Sequence, residues 1–407
     1  RPDRLPAPET FKDPGLPYAI AALTPLVRDP FRAGQLLSLL AGLMLPLAVY
    51  ALGRKVARDR EVAWVAALLA AASPVLIAQS VRVMAESLFT LLLTLAFVAA
   101  APPVSEGGGS GPLPRAGGAH GQLRGLSAGA LLGLAFLVRT QALLAIPALA
   151  LLIMAGSPAR DGIVRAGRAL FALAVIASPL LIRNLIRFGA PLHSDATFFA
   201  VWPFVDPLEF SHGLNRPPAP LPFALAHAPQ VLAHMAPALA RFARSTLPGE
   251  ILGHPVWAPA LVAGMILGIA RVPRWGFAWA YLAPVVLMMS AVSWNTRYFA
   301  STAPFWCLLT ALGAVWLARR LPAVPWPLAA RAVAAAALLA LAGFQTRRAA
   351  REVRDSAPPE IAAAVAESPF IASHLSRGES LMAVTTSYWS WFSDRPSVHL
   401  VIADERE

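Results

Sequence analysis

Apolar runs of about twenty residues, separated by short polar clusters, set the pattern of this chain. The runs cover residues 35–53, 62–78, 87–101, 126–155, 169–186, 255–270, 279–292, 299–317 and 328–344. Runs of this length and purity predict membrane-spanning helices. Three stretches break the pattern. Residues 102–124 are rich in Gly and Pro without apolar periodicity, which predicts a flexible loop. Residues 193–254 are mostly non-spanning and hold an amphipathic segment near 222–244. Residues 345–407 form a polar tail. In it, residues 358–374 have helical spacing, and residues 379–384 and 397–402 have strand character, flanking Tyr388-Trp389-Ser390-Trp391. The expected fold class is therefore an all-α polytopic membrane protein with a short α/β extracytoplasmic tail. Its expected parts are an external loop and juxtamembrane helix (1–30), a transmembrane helical domain (31–345) with an external loop (190–254), and the tail (346–407). No long-period repeat is visible. The chain opens on Arg1 and stops just after a strand-like run, so it reads as a fragment of a longer protein.

The polar clusters carry an orientation. Residues 54–60 form the most basic short loop and are expected in the cytoplasm. Alternation then puts residues 79–86 outside and 102–124 inside. The basic residues Arg160, Arg165 and Arg168 also belong inside. This holds only if residues 126–155 cross twice, as two short helices meeting near Arg139. Arg271 with Arg274, and Arg319, Arg320 and Arg331, then fall inside as well. The opposite face collects Lys12, Asp13, Arg82, Glu86, Arg139, Arg183, Asn184, Arg297 and Tyr298.

Composition agrees with the pattern. The chain is 57% hydrophobic and 14% charged, against about 25% charged in a soluble domain. The net charge is +12, and only Lys12 and Lys55 are lysines. Such a basic balance would suit nucleic acid. The placement of the charges between apolar runs excludes that partner in favour of the positive-inside bias. Loops of Ala, Arg, Pro and Gly suggest a GC-rich bacterial source. Cys307 is the only cysteine, so an intrachain disulfide is excluded, and its apolar run makes it a core residue. His193, His212, His227, His234 and His254 show no metal-ligand spacing. No metal and no cofactor are expected.

Five constellations could carry chemistry. Phe11-Lys12-Asp13-Pro14-Gly15-Leu16-Pro17-Tyr18 precedes a stretch, residues 19–27, too short to span and suited to an interfacial helix. Arg82 and Glu86 are four apart, one helical turn, at the start of a span. The bland alternatives for these two are a snorkelling lysine with a capping Asp, and a surface ion pair. Arg139-Thr140-Gln141 interrupts some thirty apolar residues, and an intramembrane Arg is a functional candidate by default. Its planar guanidinium suits a phosphate. Arg183-Asn184, followed by Gly189-Ala190-Pro191, ends a span, and Arg297-Tyr298 opens one. Interfacial anchoring is the bland alternative for both.

The order of these pieces resembles the GT-C membrane glycosyltransferases, in particular the bacterial relatives of protein O-mannosyltransferases and of the lipid A aminoarabinose transferase. The resemblance rests on residues 11–18, 82–90 and 133–141, on Ile182-Arg183-Asn184 with Gly189-Ala190-Pro191, and on Arg297-Tyr298-Phe299 with Pro304. It implies transfer of a sugar from a polyprenyl-phosphate donor to an extracytoplasmic acceptor: protein, lipid or envelope glycan. It implies a multi-pass protein of the bacterial inner membrane with its site facing the periplasm or exterior. Membrane lipid, the lipid-linked donor and the acceptor are the expected partners. Lys12, Arg139, Arg82 and Arg297 would bind the donor phosphate, and Asp13, Tyr18, Arg183, Asn184 and Tyr298 the substrates. Glu86 would be a catalytic carboxylate, while the family's principal Asp is expected upstream of Arg1. Asp13-Pro14-Gly15 departs from the family's Pro-Pro pair, and Gln141 follows Arg139-Thr140 where the family often has Pro-Glu or Pro-Gln. The alternatives are a transporter or flippase of lipid-linked saccharides and a non-catalytic envelope scaffold. Interfacial charges and the lack of a repeat favour the transferase.

Overall fold

The computed structural model describes residues 13–103, 119–155, 158–192, 220–292 and 296–320, with Phe204 and a few short pieces between 340 and 399. Thirteen α-helices can be given ranges among them. The first eight are α1 (Gly15–Val27), α2 (Pro30–Ala57), α3 (Arg60–Ala72), α4 (Pro74–Ser80), α5 (Ala85–Ala100), α6 (Ala119–Val138), α7 (Ile146–Ala155) and α8 (Ala159–Phe188). They are followed by α9 (Pro220–Ala226), α10 (Ala228–Arg241), α11 (Ala258–Ala270), α12 (Val272–Val292) and α13 (Ala303–Arg320).

The first corners repeat one local solution. α1 ends on Arg28 and α2 on Arg58, both left-handed (φ 62° and 54°). An Asp follows each. Asp29 accepts from the Phe31 and Arg32 amides at 2.8 and 3.1 Å, and Asp59 from the Glu61 and Val62 amides at 2.9 and 3.4 Å. A carboxylate thus satisfies the free N–H groups of each new helix while the left-handed residue reverses the chain.

Three of the helical stretches are long and apolar enough to cross a membrane: Pro30–Ala57, Ala159–Phe188 and Thr296–Arg320. Arg60–Ala72 with Pro74–Ser80, bent by 57°, passes as one broken span. Helix α1 has no buried residue. Helix α6 starts at Ala119, inside the stretch 102–124 expected as a loop. The amphipathic segment is helix α10, prolonged by a π-helical stretch, Phe242–Ile251. It turns by 108° into Pro255–Ala270. The run expected at 328–344 lies largely outside the described residues.

The run 126–155 breaks where the sequence placed the break. Arg139 is extended (φ −153°, ψ 124°) between α6 and a short 3-10 turn, Thr140–Ala145. Close approaches fix the directions of the flanking helices. Gly125 meets Arg165, Gly129 meets Ala169 and Gly133 meets Leu173 and Ile176, so α6 and α8 run parallel. Two adjacent parallel helices require a return, and α7 supplies it. Arg139 is therefore the tip of a hairpin.

Helix α13 is the most buried span, at 83% of its apolar window. It packs on α11 through Gly264 and Gly313. A Cβ on either would collide with the facing backbone at Leu309 or Ala260. Small residues that let two backbones touch are the usual currency of helix association in lipid. Phe97, Phe277, Tyr281 and Phe305 form an aromatic core between α5, α12 and α13. The buried Tyr281 hydroxyl is paired with Ser301 at 2.8 Å.

A second compact unit comprises residues 197–226 and 350–407. It includes α9 and a parallel pair of three-residue strands, β1 (Leu381–Ala383) and β2 (Ser397–His399). Both strands fall within the two segments that the sequence marked as strand-like. The α/β tail expected over 346–407 lies largely outside the described residues.

Candidate functional site

The bundle has two chemically different ends. At one, Lys55 donates to the Val98 carbonyl at 2.7 Å and Arg274 to the Val56 carbonyl at 2.7 Å. These cations close the C-terminal ends of α5 and α2, where carbonyls lack helical partners. Arg319 joins them through Asp59 and Glu61, each at 2.8 Å. Arg124 at the start of α6 lies in electrostatic reach of Lys55, and Arg58 and Arg271 in that of Arg274. Members of the basic clusters at residues 54–60, 271–274 and 319–320 thus meet at one end.

The opposite end is about 18 Å away along α5, from Val98 back to Glu86. Glu86 is 5% exposed and sits in the first turn of α5, where the helix dipole favours an acid. Arg139 Nη1 donates to Glu86 Oε1 at 2.5 Å. Arg297 Nε approaches the same oxygen at 3.8 Å. Tyr298 lies beneath both cations, with the two guanidinium carbons 5.0 and 4.9 Å from its ring centroid. Its hydroxyl accepts from Arg297 Nη2 at 2.9 Å. Gln141 Nε2 reaches the Tyr298 carbonyl at 3.5 Å. The result is one buried carboxylate with two guanidiniums over a ring that stabilises cations.

Asp13 completes the group from the other end of the sequence. Its Oδ2 accepts from the Thr140 amide at 2.9 Å. Burial pushes the Asp13 carboxyl above its ordinary range, and this outweighs the lowering by the Thr140 amide and by Arg139. Ser38 of α2 reaches the Met84 carbonyl at 3.5 Å beside the start of α5.

The remaining sequence-predicted residues lie as follows. Arg82 was placed one helical turn before Glu86. Val81–Met84 is not helical, and α5 begins only after the extended Met84 (φ −138°, ψ 152°). The helical turn expected between them is absent, and Arg139 and Arg297 both approach Glu86. Arg183 bonds Asn184 Oδ1 through Nε and Nη2 at 3.1 and 2.8 Å, and Asn184 donates to the Pro191 carbonyl at 3.2 Å. These bonds hold the turn after α8, whose end is Gly189 at φ 70°. Tyr18 is 70% exposed on α1. Lys12 lies outside the described residues, as do His193 and His212. Among the described residues, no group of three or more His, Cys, Asp or Glu could hold a metal ion. Sequence reasoning passed over the Thr140 amide, because a main-chain donor leaves no residue signature.

Comparison with known proteins bears on this arrangement. Residues 8–108 match the model of the dolichyl-phosphate-mannose-protein mannosyltransferase family. No curated protein matches the chain. Among solved structures, the Archaeoglobus fulgidus oligosaccharyltransferase, tethered to an acceptor peptide with an NVT sequon, superimposes with a TM-score of 0.64 at 17% identity. That match covers 97% of this chain and 56% of the archaeal one, so the chain spans little more than half of that relative's length. ArnT from Cupriavidus metallidurans matches in the apo state with a TM-score of 0.60 at 15% identity, over 98% of this chain and 76% of ArnT. ArnT bound to undecaprenyl phosphate gives 0.56 at 15% identity, over 98% of this chain and 77% of ArnT. The fold is that of the GT-C membrane glycosyltransferases.

Proposed function

We propose that this membrane protein, built on the GT-C fold, transfers a sugar from a polyprenyl-phosphate donor to an acceptor outside the cytoplasm. The observation that carries the reading is the Glu86–Arg139–Arg297–Tyr298 cluster at the end of the bundle opposite the basic loops. The positive-inside bias assigns the basic end to the cytoplasm. The cluster then faces the exterior, the periplasm in a bacterial inner membrane. ArnT with undecaprenyl phosphate, and the archaeal oligosaccharyltransferase with an acceptor peptide or with dolichol-phosphate and an inhibitory peptide, show the ligand classes that such a fold can take.

The chemistry needs few parts. The acceptor's nucleophilic atom bonds to the anomeric carbon. The bond from that carbon to the phosphate oxygen breaks, and its electron pair stays on the lipid phosphate. The acceptor's proton passes to a base, for which the family resemblance implies an acidic side chain. Charge grows on the phosphate, so preorganised cations beside it lower the barrier. Arg139 and Arg297 are assigned that task, with Lys12 and Arg82 as further candidates. Glu86 is assigned as the positioning residue of the two guanidiniums. Tyr18, Arg183, Asn184 and Tyr298 remain proposed contributors to substrate binding, and Asp13 contributes through the segment that carries Arg139. A lipid-linked donor also explains why a sugar-handling protein is built of spans: the polyprenyl chain never leaves the bilayer.

The test is transfer of labelled sugar from a polyprenyl phosphate by the full-length protein in nanodiscs, with Arg139→Ala as control. Transfer by the wild type and its loss in Arg139→Ala supports the reading. Movement of the lipid-linked sugar across a vesicle membrane without any transfer would replace it with the transporter.

A further inference from the structure

Arg139 has no helix to hold it. Its own amide closes α6 by donating to Ala135 O at 2.8 Å, and its carbonyl opens the 3-10 turn by accepting from Ala142 at 3.0 Å. The residue between is extended, and its side chain makes no cap for the new turn. The Thr140 amide, first in that turn, therefore has no local acceptor. Asp13, 127 residues earlier, fills the vacancy. On the other side of Arg139, Gly15 lies against α6. A Cβ there would stand 2.6 Å from Leu137 C, Leu137 O and Val138 N, which no side chain tolerates. Residues 13 and 15 thus grip residues 137–138 and 140 and leave Arg139 alone between the two contacts.

We infer that Asp13 is a positioning residue, a cap supplied from outside the helix, which holds the break so that Arg139 meets Glu86 and is presented to an anionic lipid phosphate. It acts through the Thr140 N–H and not by touching the ligand. The inference rests on the phosphate role proposed for Arg139. It also gives a reason for the departure at Asp13-Pro14-Gly15: the acid supplies the acceptor and the glycine supplies the close approach.

The experiment measures binding of undecaprenyl phosphate to the full-length protein in nanodiscs, with fold checked by monodispersity and thermal unfolding. Asp13→Ala should bind roughly tenfold more weakly, the scale of a lost cap. Asp13→Asn keeps an acceptor oxygen and should stay within about twofold on the same scale. Thr140→Pro supplies the discriminating variant. Proline is tolerated in the first position of a helical turn, has no N–H to cap, and suits the extended residue before it. In a Thr140→Pro background, Asp13→Ala should no longer weaken binding, an independence that a general packing role would not produce. Binding by Asp13→Ala equal to wild type, with Arg139→Ala defective, overturns the clamp alone. Weak binding by Asp13→Ala in both backgrounds does so too. If Arg139→Ala itself binds as wild type does, the phosphate reading and the clamp fall together. Should Asp13→Ala fail to fold, binding by Asp13→Asn weakened as much as by Arg139→Ala overturns the clamp, and near-normal binding supports it.

Discussion

The two ends of the bundle use the same residue types for opposite purposes. At the basic end, Lys55 and Arg274 donate to helix carbonyls, and Arg319 pairs with Asp59 and Glu61 while 57% of its side chain is exposed. At the other end, Arg139 has 22% of its side chain exposed and shares a carboxylate that is 7% exposed. Charges near water are cheap, and they orient and cap. Charges out of water require partners, because an ion left alone there loses several kcal/mol of solvation. The lesson is that a count of arginines says little; how far each is desolvated, and against what, separates anchoring from chemistry.

Glu86 should produce the largest effect if this contrast holds. Glu86→Gln removes the charge that holds two guanidiniums, and transfer should fall roughly a hundredfold, the scale of a lost preorganised contact to developing charge. Glu86→Asp should keep part of the rate. Turnover of Glu86→Gln near the wild-type value would reduce the residue to an ordinary helix-terminus acid.

Arg139→Lys should come next. It keeps the charge but loses the planar donor fork and the stacking over Tyr298, so transfer should drop about tenfold, with the larger part in the donor KM. Equal rates for Lys and Arg would show that a point charge suffices there.

Asp13 tests the ionic cost directly. Its folded pKa is raised, so the native state holds a proton more readily than the unfolded chain does. Stability should therefore rise as pH falls through the raised folded value, and this gain is complete once pH is below the unfolded value. Asp13→Asn keeps the acceptor and has no proton to bind, so its thermal unfolding should lack this rise and be no lower than wild type at neutral pH. Thermal unfolding of both proteins in the same detergent across pH 7 to about 4 measures it. A wild-type midpoint that falls over that window, relative to Asp13→Asn, contradicts the desolvation account.

The basic end should give the smallest response. Arg319→Ala removes two ion pairs, yet solvent screens them, and the loss should stay within a few tenths of a kcal/mol with transfer unchanged. A large loss of activity there would erase the distinction between the ends.

The sequence by itself determined the membrane class, the apolar runs and the sorting of charge. It also located the break at Arg139, because a lone guanidinium inside thirty apolar residues cannot be left in hydrocarbon. Periodicity and the free energy of burying charge are local properties, so they can be read residue by residue. It misplaced the helical turn between Arg82 and Glu86, because a four-residue spacing implies a turn only if helix is there, and α5 starts at Ala85. The tertiary structure alone decided which cations meet Glu86. Arg139 comes from 53 residues away and Arg297 from the start of the last described span. It alone decided that Asp13 caps Thr140 across 127 residues. The reason is that a buried ion or a free amide specifies only that some partner must exist; which one it finds depends on how α1, α5, α6 and α13 are brought to a common end, and no local spacing encodes that.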